Sequence, residues 1–240
     1  MAEELVPLEP SQHPVTRLPK VTTELPFFYL TKQKAQLTKP IIFEATDEQG
    51  KRIKWKVSPN VIIGAPGIDA HEVWVKLIKP SIDERRQVDG YLPAIIPLGK
   101  VRECLRILGW KTGGWESQHL FQCIQQICHA ACEADFFLQI LGTENYTRIK
   151  ASFSRMSLYA VGATHLNHRE TESAKQDFDF DIEDTVYLQL HSVEQEIQQN
   201  EKQRYVDNEY LFSVSPSARR WYELLAPKFY GVTKNATKGK

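Results

Sequence analysis

The sequence predicts an α+β fold, and three observations carry that prediction. Some short stretches alternate apolar with polar residues, as strands with one buried face do: Ile53, Trp55 and Val57 interleave with Lys54 and Lys56. Others repeat apolar residues every three or four positions, as helices do: Leu98, Val101, Leu105 and Leu108, then Leu120, Ile124, Ile127 and Ala131. Between them lie turn-forming runs such as Asp47-Glu48-Gln49-Gly50 and Gly142-Thr143-Glu144-Asn145.

Taken in order, Met1 to Lys20 is rich in Pro, Glu and polar residues without a period, so residues 1–20 are expected to form a flexible arm. Phe27 to Leu30 reads as a short aromatic strand. Ile41 to Ala45 and Ile53 to Val57 flank the Asp47–Gly50 turn as a hairpin, with one face buried and the other cationic. A first helix is expected from Asp69, with Asp69 and Glu72 as a capping pair and Val73, Trp74, Leu77 and Ile78 on one face. It should end near Pro80, with a charged connector from Ser81 to Gly90. Pro97 suits the first position of a second helix, where its missing N–H is no loss, and Gly109 suits its end.

After the turn from Trp110 to Gly114 comes the longest helical signal. Its apolar face has Cys123 and Cys128 beside it. The opposite face carries Gln118, Gln122, Gln125, Gln126 and His129, with Ser117 and His119 near the start. Phe136–Leu141 and Tyr146–Phe153 follow as paired strands. Phe178–Ile182 and Val186–Leu190 read as strands, Val193–Asn208 shows no clear pattern, and a helix is expected from Pro216 to Pro227. Helix, short turn, helix, hairpin is the order of a winged helix. The division predicted is therefore an arm (1–20), a winged-helix-type domain with extra strands (21–213), a linker helix or first helix of a second winged-helix domain (214–231), and a disordered basic tail (232–240).

Composition restricts function. No apolar run approaches the roughly 20 residues needed to span a bilayer, and no charged-then-apolar leader precedes the four cysteines, so a cytoplasmic chain without disulfides is expected. Thirty Lys and Arg against thirty Asp and Glu give no net charge, so overall charge does not advertise nucleic-acid binding. The charge is unevenly spread. Glu170 to Glu209 is acidic, whereas Lys51, Arg52, Lys54 and Lys56, and the residues from Arg219 to Lys240, are basic.

A helix that enters the major groove needs an apolar back and a polar front that reaches base edges. The helix after Gly114 meets that description. Gln118 and Gln122 lie one turn apart, and an amide can pair bidentately with adenine. The expected DNA-binding residues are Ser117, Gln118, Gln122 and Gln125 at the bases, with Lys111, Arg148 and Lys150 on phosphates. Cys123, Cys128, Cys132, His119 and His129 suggest a metal site, but their angular positions and the missing Cys-x-x-Cys hook favour core cysteines. His165 and His168 beside Glu170 and Glu172 are a weaker metal motif. No metal or other cofactor is expected. No phosphate-binding loop, Gly-x-Ser-x-Gly elbow or His-x-His occurs, so no enzyme is expected; carboxylates from Asp177 to Asp184 leave a metal-dependent nuclease as an alternative.

Several blocks carry a family likeness: Glu24-Leu25-Pro26-Phe27-Phe28, Gly64-x-Pro66-x-x-x-Asp69, Leu105-x-x-Leu108-Gly109-Trp110, and Ala218-Arg219-Arg220-Trp221-Tyr222-Glu223-Leu224-Leu225. In order and spacing they resemble the bacterial plasmid replication initiator protein A family from Glu24 to Gly231. The resemblance implies tandem winged-helix domains that recognise repeated sites in a double-stranded plasmid origin, homodimerisation linked to self-regulation, and recruitment of host replication proteins. In that family the helix matching Ala218–Leu225 opens a further folded region, which is expected to be missing here. Sequence-specific DNA binding for replication initiation is thus the leading expectation. A dimerisation or docking module, or an autoregulator without full origin binding, is the alternative from another class, with the Trp221 face awaiting a cover.

Overall fold

The computed structural model describes residues 15–19, 25–31, 37–46, 50, 52–139, 145–161, 182–200 and 203–229. It is an α+β structure with antiparallel sheets, as the sequence predicts. One sheet has four strands in the order β2 (Ile41–Thr46), β3 (Arg52–Ser58), β5 (Ala131–Gln139) and β6 (Tyr146–Ser154). A second has three: β4 (Ile95–Lys100), β8 (Thr185–Leu190) and β7 (Met156–Val161). A two-stranded ribbon joins β1 (Val15–Pro19) to β9 (Gln203–Asp207). Val15–Pro19 was expected within a flexible arm; its pairing with Gln203–Asp207 fixes it instead, by a partner far away in sequence.

Period-two alternation decides which face of each strand is buried. In the four-stranded sheet Trp55, Val57, Cys132, Ala134, Phe136, Leu138 and Phe153 point inward. Trp55 meets Phe136 and Phe153 edge-on, with ring centroids 6.2 and 6.3 Å apart, and its indole N–H donates to the Pro26 carbonyl at 2.8 Å. Phe27–Leu30 is irregular chain rather than the expected strand. Phe27 and Tyr29 are core residues, and the Tyr29 N–H bonds to the Pro66 carbonyl at 2.8 Å, not to a strand.

The first helix is longer than predicted. It runs as α1 (Ile68–Val73), a π-helical turn (Trp74–Ile78) and α2 (Lys79–Asp89), with Trp74, Val75, Leu77, Ile78 and Ile82 buried. Pro80 does not stop it. The proline follows the π turn, where the regular i to i−4 ladder is already interrupted, so its missing N–H costs little. The expected Asp69–Glu72 cap is absent as well: Gly67 occupies the cap position, Asp69 holds His119 and Glu72 holds Lys76. Pro97, expected to open a helix, lies in β4 opposite Tyr187. The helix it was to start is α3 (Val101–Leu108), at whose beginning the Glu103 carboxylate accepts the Lys100 backbone N–H at 3.2 Å.

Helices α5 (Ser192–Asn200), α6 (Asn208–Ser213) and α7 (Pro216–Phe229) complete the described fold. Pro227, expected to close α7, lies within it. Glu223 on α7 reaches back to His71 on α1 at 2.7 Å, with both side chains buried, and the Tyr222 hydroxyl accepts the Asp207 N–H at 3.3 Å. This inner face docks α7 on the body. Trp221, on the outer face, is 63% exposed.

Where α2, α5 and the bend between β6 and β7 meet, charged groups are buried together. Arg155 makes two bonds to Glu194, at 2.9 and 2.7 Å, and its guanidinium lies 3.9 Å from the Trp74 ring centroid. Gln198 donates to the same carboxylate at 2.6 Å. Lys79, fully buried, pairs with Asp83 at 2.5 Å, and burial pushes its amine down to about 8 despite that partner.

The expected strand Phe178–Ile182 and the motif from His165 to Glu172 fall almost wholly outside the described residues, as does the tail from 230.

Candidate nucleic-acid interface

The helix–turn–helix and hairpin expected between Pro97 and Phe153 are present as α3, α4 (Gly114–His129), β5 and β6. Gly109 ends α3 at φ +73°, a left-handed conformation that glycine adopts without a Cβ clash. The following Trp110 N–H returns to the Leu105 carbonyl at 2.9 Å, and the chain re-enters helix at Gly114. One departure concerns the strand before α3. β4 pairs with β8, whereas the hairpin joins β3, so the hairpin belongs to a separate sheet.

Period 3.6 sorts the side chains of α4. Leu120, Ile124 and Ile127 are fully buried, with Phe121, Cys123 and Cys128 nearly so. Gln118, Gln122 and His129 are exposed on the other side, as predicted, and Gln126 is half-buried near Gly64. Two predicted residues stand elsewhere. Ser117, expected at the bases, is only 3% exposed, and its hydroxyl donates to the Gly113 carbonyl at 3.0 Å, closing the first turn. It stabilises the helix and faces the core. Gln125 is half-buried and lines a groove with Phe121, Cys128, His129, Met156 and Leu158.

Lys111 is exposed in the turn before α4, and Arg148 and Lys150 are exposed on β6. The sheet around those two is not simply cationic. Its outer face carries Glu44 on β2, then Arg52, Lys54 and Lys56 on β3, then Glu133 and Asp135 on β5, then Arg148 and Lys150 on β6. Cationic and anionic columns alternate. Arg148 grips Asp135 with two bonds of 2.7 Å, Lys56 meets Glu133 at 2.6 Å and Arg52 meets Glu44 at 2.8 Å. The Arg148 bonds hold the Asp135 carboxyl below its ordinary range, with Lys150 and Arg52 adding to the effect. The cationic face expected from Lys54 and Lys56 is therefore largely neutralised by carboxylates from both neighbouring strands, a pairing that the sequence of β3 alone does not show.

The four thiols are buried, and burial pushes each up to about 12, so they remain protonated and poorly nucleophilic. The His119 Nε2 lies 3.9 Å from the Cys123 sulfur and closer, 3.0 Å, to the Asp69 carboxylate. No group of three or more His, Cys, Asp or Glu gathers at metal distance among the described residues. No described helix is long and apolar enough to cross a membrane.

A feature missed at the sequence level is a column of three rings at the start of α4. His119 lies between Trp110 and Trp115, with centroids 5.2 and 5.0 Å away and planes tilted by 27° and 15°. The four-residue spacing of Trp115 and His119, one helical turn, is the signal that points to it.

Neither a protein-family profile nor a curated protein matches the chain. Among solved structures, the crystal structure of selenomethionine derivatives of domains 2 and 3 of RctB resembles 80% of this chain over 67% of its own, at 12% identity and TM-score 0.46. A crystal structure of RctB domains 2–3 matches 87% of this chain over 69% of its own, at 10% identity and the same TM-score of 0.46. At that distance no residue role transfers from them.

Proposed function

We propose that this chain is a non-catalytic, sequence-specific binder of double-stranded DNA, and that it acts as a replication initiator at a plasmid origin with repeated sites. The observation that carries the reading is the build of α4: an apolar back sealed into the core and a front on which Gln118 and Gln122 stand exposed one turn apart. Such a helix is anchored firmly enough to present amides to base edges in a major groove. Lys111, Arg148 and Lys150 contribute phosphate contacts, the last two after competition with Asp135. Gln125 serves at the margin of this surface. Homodimerisation, host replication partners and cytoplasmic location belong to the same proposal, and rest on the family likeness.

A gel-shift titration against the repeats of the origin adjoining the gene tests it. Binding at physiological salt should exceed that to random duplex by about a thousandfold or more. Gln122→Ala should relax preference at one base pair, by about 1–3 kcal/mol. Equal affinity for both duplexes rejects sequence-specific recognition.

One observation favours the docking module as a second reading. On α7, Trp221 is 63% exposed and Leu225 37% exposed, on the face turned away from the body. A stable oligomer with salt-insensitive, negligible DNA affinity would select that reading.

A further inference from the structure

We propose that Trp115 is a stacking platform for an unpaired nucleobase, so that this protein binds single-stranded nucleic acid at the start of α4 as well as duplex along it.

The geometry comes first. Trp110, His119 and Trp115 form a column of nearly parallel plates, and Trp115 ends the column with 69% of its surface exposed. Offset parallel stacking is the arrangement that planar π systems prefer, and a nucleobase is such a plate. The rings beneath the plate are held before any ligand arrives. His119 is held by Asp69 at 3.0 Å and sits on a helix whose back is core. The Trp110 N–H is bound to the Leu105 carbonyl at 2.9 Å. A plate backed by held rings loses less conformational freedom on binding.

Charge then selects the occupant. Lys111 is exposed between the two tryptophans in sequence, and Arg106 is exposed on the last turn of α3; the described residues give neither an ion-pair partner. Of the nearby carboxylates, Asp69 is engaged by His119 and Glu116 folds back over Gly113. An open aromatic plate at the end of a turn whose start carries exposed cations free of partners among the described residues suits a base with its phosphate. An apolar protein surface would leave both cations unused.

The test is fluorescence anisotropy of a labelled oligothymidylate with the full chain, alongside quenching of tryptophan emission. Trp115→Ala should weaken binding about tenfold or more and remove the quenching. Trp115→Leu, which keeps apolar bulk without the plate, should behave likewise, and Trp115→Phe should retain most of the affinity. Trp221→Ala should change nothing, and Lys111→Ala should weaken binding most at low salt. Wild-type failure to bind the oligonucleotide at low salt overturns the proposal, as does unchanged binding by Trp115→Leu. Dissociation of an oligomer by Trp115→Leu with oligonucleotide binding intact would assign the plate to a protein partner and overturn it too. Duplex recognition is judged separately by Gln122→Ala, so either idea can fail alone.

Discussion

Two sets of ion pairs in this protein use the same residue types to opposite ends. Around Arg155, Glu194, Lys79 and Asp83 the charges are out of water, and each needs its partner in place. Across the outer face of the four-stranded sheet, Glu44, Arg52, Lys56, Glu133, Asp135 and Arg148 pair in the open, where solvent and salt replace any partner that is lost. The first set makes the body intolerant of substitution. The second leaves a surface whose charges can be exchanged for those of a ligand.

An alkaline titration should give the largest difference, because it acts on the interior. Each of the four thiols is raised from 9 to about 12, so between those values the folded state keeps protons that the unfolded state releases. That stabilisation is complete below the unfolded value and is lost as pH rises through the folded one, at roughly 1.4 kcal/mol per pH unit for each thiol. Lys79 acts in the other sense: lowered from 10.5 to about 8, it makes stability rise with pH between those values. One rising contribution meets four falling ones from the thiols, and the Tyr29 hydroxyl, raised by burial above its ordinary 10, adds to the fall. Urea midpoints should thus rise slightly between about pH 8 and 9, then fall steeply, with unfolding before about pH 12. A flat profile would show that the thiols are not buried as described.

Next in size is Glu194→Gln, which leaves Arg155 buried without its counter-charge. Urea unfolding should show a loss of about 3–5 kcal/mol. The equivalent change on the sheet, Asp135→Asn, should leave the urea midpoint where it was. A comparable loss in both variants would abolish the distinction between the two sets.

The smallest effect concerns binding. Asp135→Asn frees Arg148 and should tighten DNA binding modestly; Lys150→Ala should loosen it and reduce the salt slope by about one. Both follow from titrations at several salt concentrations, and an unchanged slope for Lys150→Ala would remove β6 from the DNA surface.

Elements with a strong local period were legible in the sequence. The turn at Gly109, the apolar back of α4 and the β5–β6 hairpin declare themselves within a few residues. The expectation that put Ser117 at the bases overlooked its own spacing: it precedes Leu120 by three and Ile124 by seven, the period of the buried face, and it lies in the core. Other features depend on distant partners. Nothing around Val15 announces a strand completed by Asp207, and Arg155 reads like any surface arginine until Glu194 and Trp74 enclose it. Pro80 misled because the π turn that accommodates it has no sequence signature of its own. At the interface, the exposure of Gln118 and Gln122 was read correctly, while the carboxylates Asp135 and Glu133 that face Lys54 and Lys56 come from a strand far away in the chain, and Asp135, which Arg148 grips, lies on the neighbouring strand of its own hairpin.

The alternating columns also bear on how the chain finds its fold. On that outer face β3 and β6 are basic, and β2 and β5 are acidic. β3 is therefore welcome beside either acidic strand, whereas placing it against β6 would crowd five cations on one surface. Like charges directly opposite disfavour a strand pair. In the order β2, β3, β5, β6 every neighbouring pair joins opposite charges on this face, so the pattern disfavours pairings that set β3 against β6 or β2 against β5.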